Sequence, residues 1–196
     1  MTQKDLITFY NTVFLPVYAD TVAFLADKPA QIIIELENTF AHQMKYLDTN
    51  NTKEIREDNL TKAYNHLVRA TIDCYKLLWV EMSEEIELFM GDDKTRKFTV
   101  NMKENEAVTL WVEFRENAQK ARREELNGIG KTPLDTINLY SDTVEIGWKI
   151  LKECDREKMK ALQKFNLKNF LIQQWIGLVV GIVGGLLTAG ILAFLS

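Results

Sequence analysis

Charge is missing from one end of this 196-residue chain: residues 169–196 contain no Asp, Glu, Lys or Arg. All 24 basic and 28 acidic residues lie in residues 1–168, whose composition is that of an ordinary water-exposed domain and too rich in apolar residues for wholesale disorder. Proline and glycine are scarce, at 3 and 9, which argues against an all-β domain built on tight turns. There are two cysteines. Cys74 and Cys154 stand in no CxxC or metal-ligand spacing, and in a reducing compartment they read as small buried hydrophobes. A formal net charge of -4 excludes a strongly basic nucleic-acid protein, and no DNA partner is expected. Only one stretch is apolar enough to cross a bilayer, which excludes a multi-span transporter.

That stretch is Trp175–Leu195, 21 residues in which only Thr188 is polar. At ~1.5 Å per residue it makes a helix of ~31 Å, the thickness of a bilayer's hydrocarbon core. In lipid its backbone must satisfy itself, which forces a helix. Arg156, Lys158, Lys160, Lys164 and Lys168 precede it and no charged side chain follows it. The positive-inside rule therefore puts the N-terminal side in the cytoplasm. The expectation is a tail-anchored, single-pass protein of a bacterial inner membrane, with residues 1–168 a cytoplasmic helical bundle and 169–196 the transmembrane helix. Leu6–Leu25 is broken by Asn11, Pro16 and Asp20 and does not read as a signal peptide.

The remainder predicts an all-α fold of four to five bundled helices. The first covers Thr2 to Ala26, with Pro16 as a kink or break. The second runs from Pro29 to about Leu47, with Ile33, Leu36, Glu37, Phe40 and Tyr46 in one stripe. The third spans about Lys53 to Met90, where Leu60, Tyr64, Leu67, Thr71, Cys74 and Leu78 recur at alternating four- and three-residue steps, a bundle-facing seam. Lys94–Val100 reads as a linker with an extended tendency. The fourth covers about Lys103 to Leu126, with Val108, Trp111, Val112 and Arg115 on one side. The fifth opens at Pro133 and continues toward the membrane, with Asn166 and Asn169 the expected bend.

Catalytic motifs are missing. Gly130-Lys131-Thr132 resembles the end of a phosphate-binding loop, but the required earlier glycine is Glu125. Neither His42 nor His66 has a Glu three residues before it, so the di-iron bundle signature fails. No enzyme activity, metal or cofactor is expected. His66, Arg69 and Asp73 share a polar face of the third helix with Lys62 and Lys76. That cluster is a charged outer face, a bundle-bridging group, or part of an RNA-cutting site.

Two stripes stand out. Gly177, Gly181, Gly185, Ala189 and Ala193 recur every fourth residue, the pattern that lets helix backbones approach in lipid. They are the candidate oligomer interface. Lys152, Arg156, Lys160, Lys164 and Lys168 form a basic ladder at the same period. It lies against anionic headgroups, binds a polyanion or lines an opening in an oligomer, or is a solvated face that obeys the positive-inside bias.

The stretch Lys62-Ala63-Tyr64-Asn65-His66-Leu67-Val68-Arg69-Ala70 resembles helices of HEPN-like bundles. With a single glycine-rich span, the organisation resembles the HEPN-like membrane effectors of bacterial antiviral defence, among them the accessory membrane proteins of type VI-B CRISPR systems. HEPN nucleases place an Arg a few residues ahead of their catalytic His. Here the nearest preceding Arg is Arg56, so no nuclease residue carries over. The resemblance implies a self-associating effector that perturbs or permeabilises the membrane, a homo-oligomer touching lipid, with a protein or RNA as trigger. A tail-anchored adaptor whose bundle docks a partner, and a membrane-tethered RNA-binding or RNase bundle, are the alternatives.

Overall fold

The computed structural model describes residues 1–127 and 133–195, with side chains placed to residue 178 and at 180 and 181. It is all-α. Thr2 and Asp5 cap each other's backbone N–H at the start of α1 (Gln3–Phe9). Pro16 neither breaks nor ends the segment. The helix widens into a π turn over Tyr10–Phe14, with the Leu15 N–H donating five residues back to Tyr10, and continues as α2 (Leu15–Leu25). A proline ring presses on the carbonyl four residues earlier, and a wider turn relieves that contact. α2 ends at Ala26, which sits in the left-handed region at φ 53°. An alanine pays there for its Cβ, so Ala26→Gly is expected to stabilise the fold by about 1 kcal/mol, read as a higher thermal midpoint.

α3 (Ala30–Leu47) and α4 (Lys53–Met90) form an antiparallel hairpin, as the pairs Glu35–His66 and His42–Asn59 show. α4 is the axis of the bundle. Leu60, Leu67, Thr71, Cys74 and Leu78 of the expected seam are buried, with Tyr64 at its edge, and Met82, Ile86 and Phe89 carry it further. The buried Thr71 hydroxyl donates to the Leu67 carbonyl one turn back, so it adds no unpaired polar group. α2 runs parallel to α4, marked by Phe9 against Tyr64 and by Thr21 beside Cys74. The α3 stripe holds in part: Leu36 and Tyr46 pack against the core. Ile32 and Glu35 face α4, Glu37 is exposed, and Phe40 is 64% exposed.

α6 (Glu104–Asn127) and α7 (Pro133–Glu153) make the second hairpin, and α7 lies on α4. The buried face of α6 is Ala107, Phe114, Ala118 and Ala121, while Val112 of the expected face is exposed. The hairpin closes on Gly147: a Cβ there would lie 2.8 Å from Met82 Sδ and 3.0 Å from Phe114 Cε2. Gly147→Val should cost about 2 kcal/mol by overpacking, seen as a lower thermal midpoint. Gly147→Ala should come out near neutral, because helix propensity offsets a clash that the flexible Met82 side chain can yield to.

Two expectations about the connections are corrected. The linker is mostly a helix, α5 (Asp93–Thr99), nucleated by Asp92, whose carboxylate accepts from Thr95 N at 2.8 Å and Thr95 Oγ1 at 2.7 Å. Only Val100 is extended, forming an isolated antiparallel bridge with Cys154. The break before the last helix lies at Cys154–Asp155 and not at Asn166 or Asn169. Asp155 N–H donates to the Thr99 carbonyl at 2.7 Å, and its carboxylate caps the N–H groups of Glu157 and Lys158. From there α8 (Arg156–Leu195) runs unbroken, with its base against α5.

Candidate functional site

The polar face of α4 meets α3 through both histidines of the chain. His66 Nδ1 lies 2.6 Å from Glu35 Oε2, and Glu35 is only 8% exposed. His42 Nδ1 lies 2.8 Å from Asn59 Oδ1. Asn59 spends its amide N–H on the Ile55 carbonyl, so its oxygen faces His42 and the ring nitrogen donates. Against a carboxylate, His66 Nδ1 donates as well. The two rings stack with centroids 5.3 Å apart and planes 14° apart. This is a bundle-bridging group in geometry: both Nδ1 atoms are committed to holding α3 on α4.

Arg69 and Asp73 go elsewhere. They line a cleft of about 400 Å³ between α3, α4, α6 and α7, with Glu35, Asn65, Lys76 and Glu125. Asp73 pairs with Lys76 at 2.8 Å, and Lys76 reaches Glu125 at 3.1 Å. Glu125 also accepts from the Tyr140 hydroxyl at 2.8 Å and from Arg122 at 2.7 Å. Arg69 is exposed and has no ion-pair partner among the described residues. Lys62 pairs with Asp58 instead, outside the cleft. Gly130-Lys131-Thr132 lies outside the described residues. Among the described residues no three His, Cys, Asp or Glu side chains are placed to hold a metal ion.

The electrostatics of this junction are structural. Burial pushes the Glu125 carboxyl up, but the Tyr140 hydroxyl, Arg122 and Lys76 outweigh it and hold it below the usual carboxylate range. Burial lowers Lys76, and Asp73 and Glu125 more than reverse that. A depressed carboxylate stabilises the fold above its ordinary range and loses that contribution as pH falls. The folded chain should therefore weaken on acidification below about pH 5, and Glu125→Gln should flatten that dependence in thermal unfolding followed across pH. The raised Lys76 contributes over the whole neutral range and is lost only as pH rises through its folded value. Burial pushes the Cys74 thiol up to about 12, consistent with a packing role.

α8 carries both stripes, and the basic one is divided. Lys152 belongs to α7, across the break from the other four. Arg156 is tied to Glu85 of α4 at 2.7 Å. Lys160, Lys164 and Lys168 are exposed with no ion-pair partner among the described residues. A Cβ added at Gly177 or Gly181 would meet nothing within 4 Å, so this face is open within the chain. For Gly185, Ala189 and Ala193 the side-chain surroundings lie outside the described residues. Among the described residues no helix is long and apolar enough to cross a membrane; most of Trp175–Leu195 falls where side chains are not described.

The residues missed in sequence are Glu35, Glu125 and Arg96. Glu35 carried a signal, since an acid three residues after the core residue Ile32 sits on the apolar face. Glu125 and Arg96 are charged residues in charged segments, indistinguishable there from solvated ones. Comparison with protein-family models, with curated proteins and with solved structures returns no match to this chain.

Proposed function

We propose that the chain is a self-associating single-pass membrane effector: a cytoplasmic bundle on α8, which inserts in a bacterial inner membrane and perturbs or permeabilises it when copies gather, in antiviral defence. The observation that carries this reading is the uncharged end of α8. Trp175, Ile176, Leu178 and Val180 are each more than half exposed, so nothing among the described residues covers them. Leaving that apolar area in water costs roughly 25 cal/mol per Å². A bilayer removes the cost along the length available. One helix encloses no pore, so permeation requires several copies around an axis, and the open Gly177 and Gly181 face is suited to bring them together. The trigger, a protein or an RNA, acts on the bundle.

The test is the mass of the full chain in mild detergent, together with dye release from vesicles that contain it. An oligomer with leakage supports the reading. A monomer that leaves vesicles sealed overturns it in favour of the tail-anchored adaptor. The adaptor has its own supporting observation: α3 exposes Ile34, Phe40, Met44 and Leu47 away from α4.

A further inference from the structure

Beyond the glycine stripe, α8 carries a second apolar line. Leu162, Phe165, Asn169, Ile172 and Ile176 advance by three and four residues alternately, the a and d positions of two heptads. Phe165 is 59% exposed, Ile172 46% and Ile176 57%. Met159 is the last α8 side chain packed on the bundle core among the described residues. Lys158, one step earlier on the same line, is spent on Asn101 and Asp155. The line therefore begins where the helix leaves the bundle.

We propose that this line is a parallel coiled-coil seam whose occupant is the same seam of a second copy of the chain; the inference rests on the self-associating reading above and names one of its interfaces. The position of Asn169, the chemistry of its amide and the membrane reading together select that occupant. Asn169 is the one polar residue on the line and falls at an a position, where a parallel, in-register pair sets it against its own counterpart. An amide both donates and accepts, so the two side chains satisfy each other. A slipped or antiparallel pair would set it against Leu, Ile or Phe with its polar atoms unmade. Copies anchored in one bilayer are parallel already.

The charges agree. At ~100° per residue, Arg156, Lys160 and Lys164 sit roughly 120–160° around the helix from the seam, where a pair leaves them in water or at headgroups. Lys168 alone flanks the seam, at a g position, and the e position it faces in the second copy is Gln173, which is neutral. The remaining flanking positions, Ala161, Asn166 and Trp175, are uncharged, so no like-charge contact opposes pairing. Gly177 and Gly181 lie roughly 120° from the seam. The two faces are separate: the seam makes pairs, and the glycine stripe joins pairs.

The experiment is a cysteine scan of full-length protein in its native membrane, in a Cys154→Ser background, with Cys74 kept because it is buried. Single cysteines from Leu162 to Ile176 are oxidised and the disulfide-linked dimer is quantified. Phe165→Cys and Ile172→Cys are expected to cross-link several-fold more than Leu167→Cys and Leu171→Cys. Asn169→Ile should keep the association but let trimers or tetramers appear, since Ile at both a and d favours them. Maxima at Phe170 and Gln174, on the glycine face, would overturn the seam while leaving self-association intact. An unchanged size distribution for Asn169→Ile would remove Asn169 from the interface and overturn the pairing. No cross-link anywhere, with a monomeric mass in detergent, would sink the seam and the self-associating reading together.

Discussion

Arg96→Ala is expected to cost about 3 kcal/mol, lowering the thermal midpoint of the full chain in detergent by about 6–12 °C. Arg96 is 6% exposed, with a guanidinium that makes contacts on three elements. Its NH1 donates to the Met90 carbonyl at 2.8 Å, at the end of α4. Nε and NH2 reach Glu104 Oε1 at 3.0 and 2.6 Å, in the first turn of α6, and NH2 also pairs with Asp93 of α5. Truncation leaves a buried carbonyl unpaired and two carboxylates without their cation. The loss sits at the lower end for broken buried pairs because Glu104 and Asp93 are partly solvated and retain water. Arg96→Lys should recover only part of it, since an ammonium cannot fork to three acceptors in these directions. A midpoint within 2 °C of the parent for Arg96→Ala would show that α4, α5 and α6 hold together without it. Surface pairs such as Lys53–Glu57, both well exposed, should move the midpoint by less than about 1 kcal/mol equivalent.

The same residue is linked through α5 to the start of α8. Arg96 fixes α5, α5 ends in Thr99 and Val100, and those two hold Asp155 and Cys154 at the break. None of this was legible in sequence. A seven-residue helix is too short to show a period, and its cap, Asp92 with Thr95, looks like any polar turn. α4 was legible to its ends because a seam from Leu60 to Phe89 runs along most of a 38-residue helix that Thr52 and Gly91 bound. α6 lay between these cases. Its length was plain, but its buried face is three alanines and one Phe, and alanine is as common outside as in. Close approach to α7 selects those small residues, and only the position of Gly147 against Phe114 and Met82 reveals it. The polar cluster was half legible. His66, Arg69 and Asp73 share a face as expected, but Glu35 takes the histidine and Lys76 the aspartate, so the three do not act as one group. Lys76 lies one turn along α4 on the face the spacing gave, whereas Glu35 comes from α3, and spacing along one helix cannot supply it.

Gly181→Leu combined with Gly185→Leu should reduce the assembly to pairs and abolish most dye release. The open space at Gly181, with nothing within 4 Å of an added Cβ, means that Leu at position 181 meets no packed neighbour among the described residues. The substitution removes no charge and no hydrogen bond. It raises helix propensity by about 1 kcal/mol per site and makes the stretch more apolar, so insertion is not weakened. What changes is the distance at which two backbones can meet, since small residues every fourth position are what permits close contact in lipid. With the seam at Leu162–Ile176 untouched, the product should be a dimer and not a monomer. Sedimentation or mass photometry in detergent reads the size, and vesicle leakage reads the consequence. A fall in leakage without a fall in mass would mean that the stripe shapes the path and not the contact. An unchanged mass with unchanged leakage would remove the glycine stripe from the mechanism and leave association to the seam and the bundle.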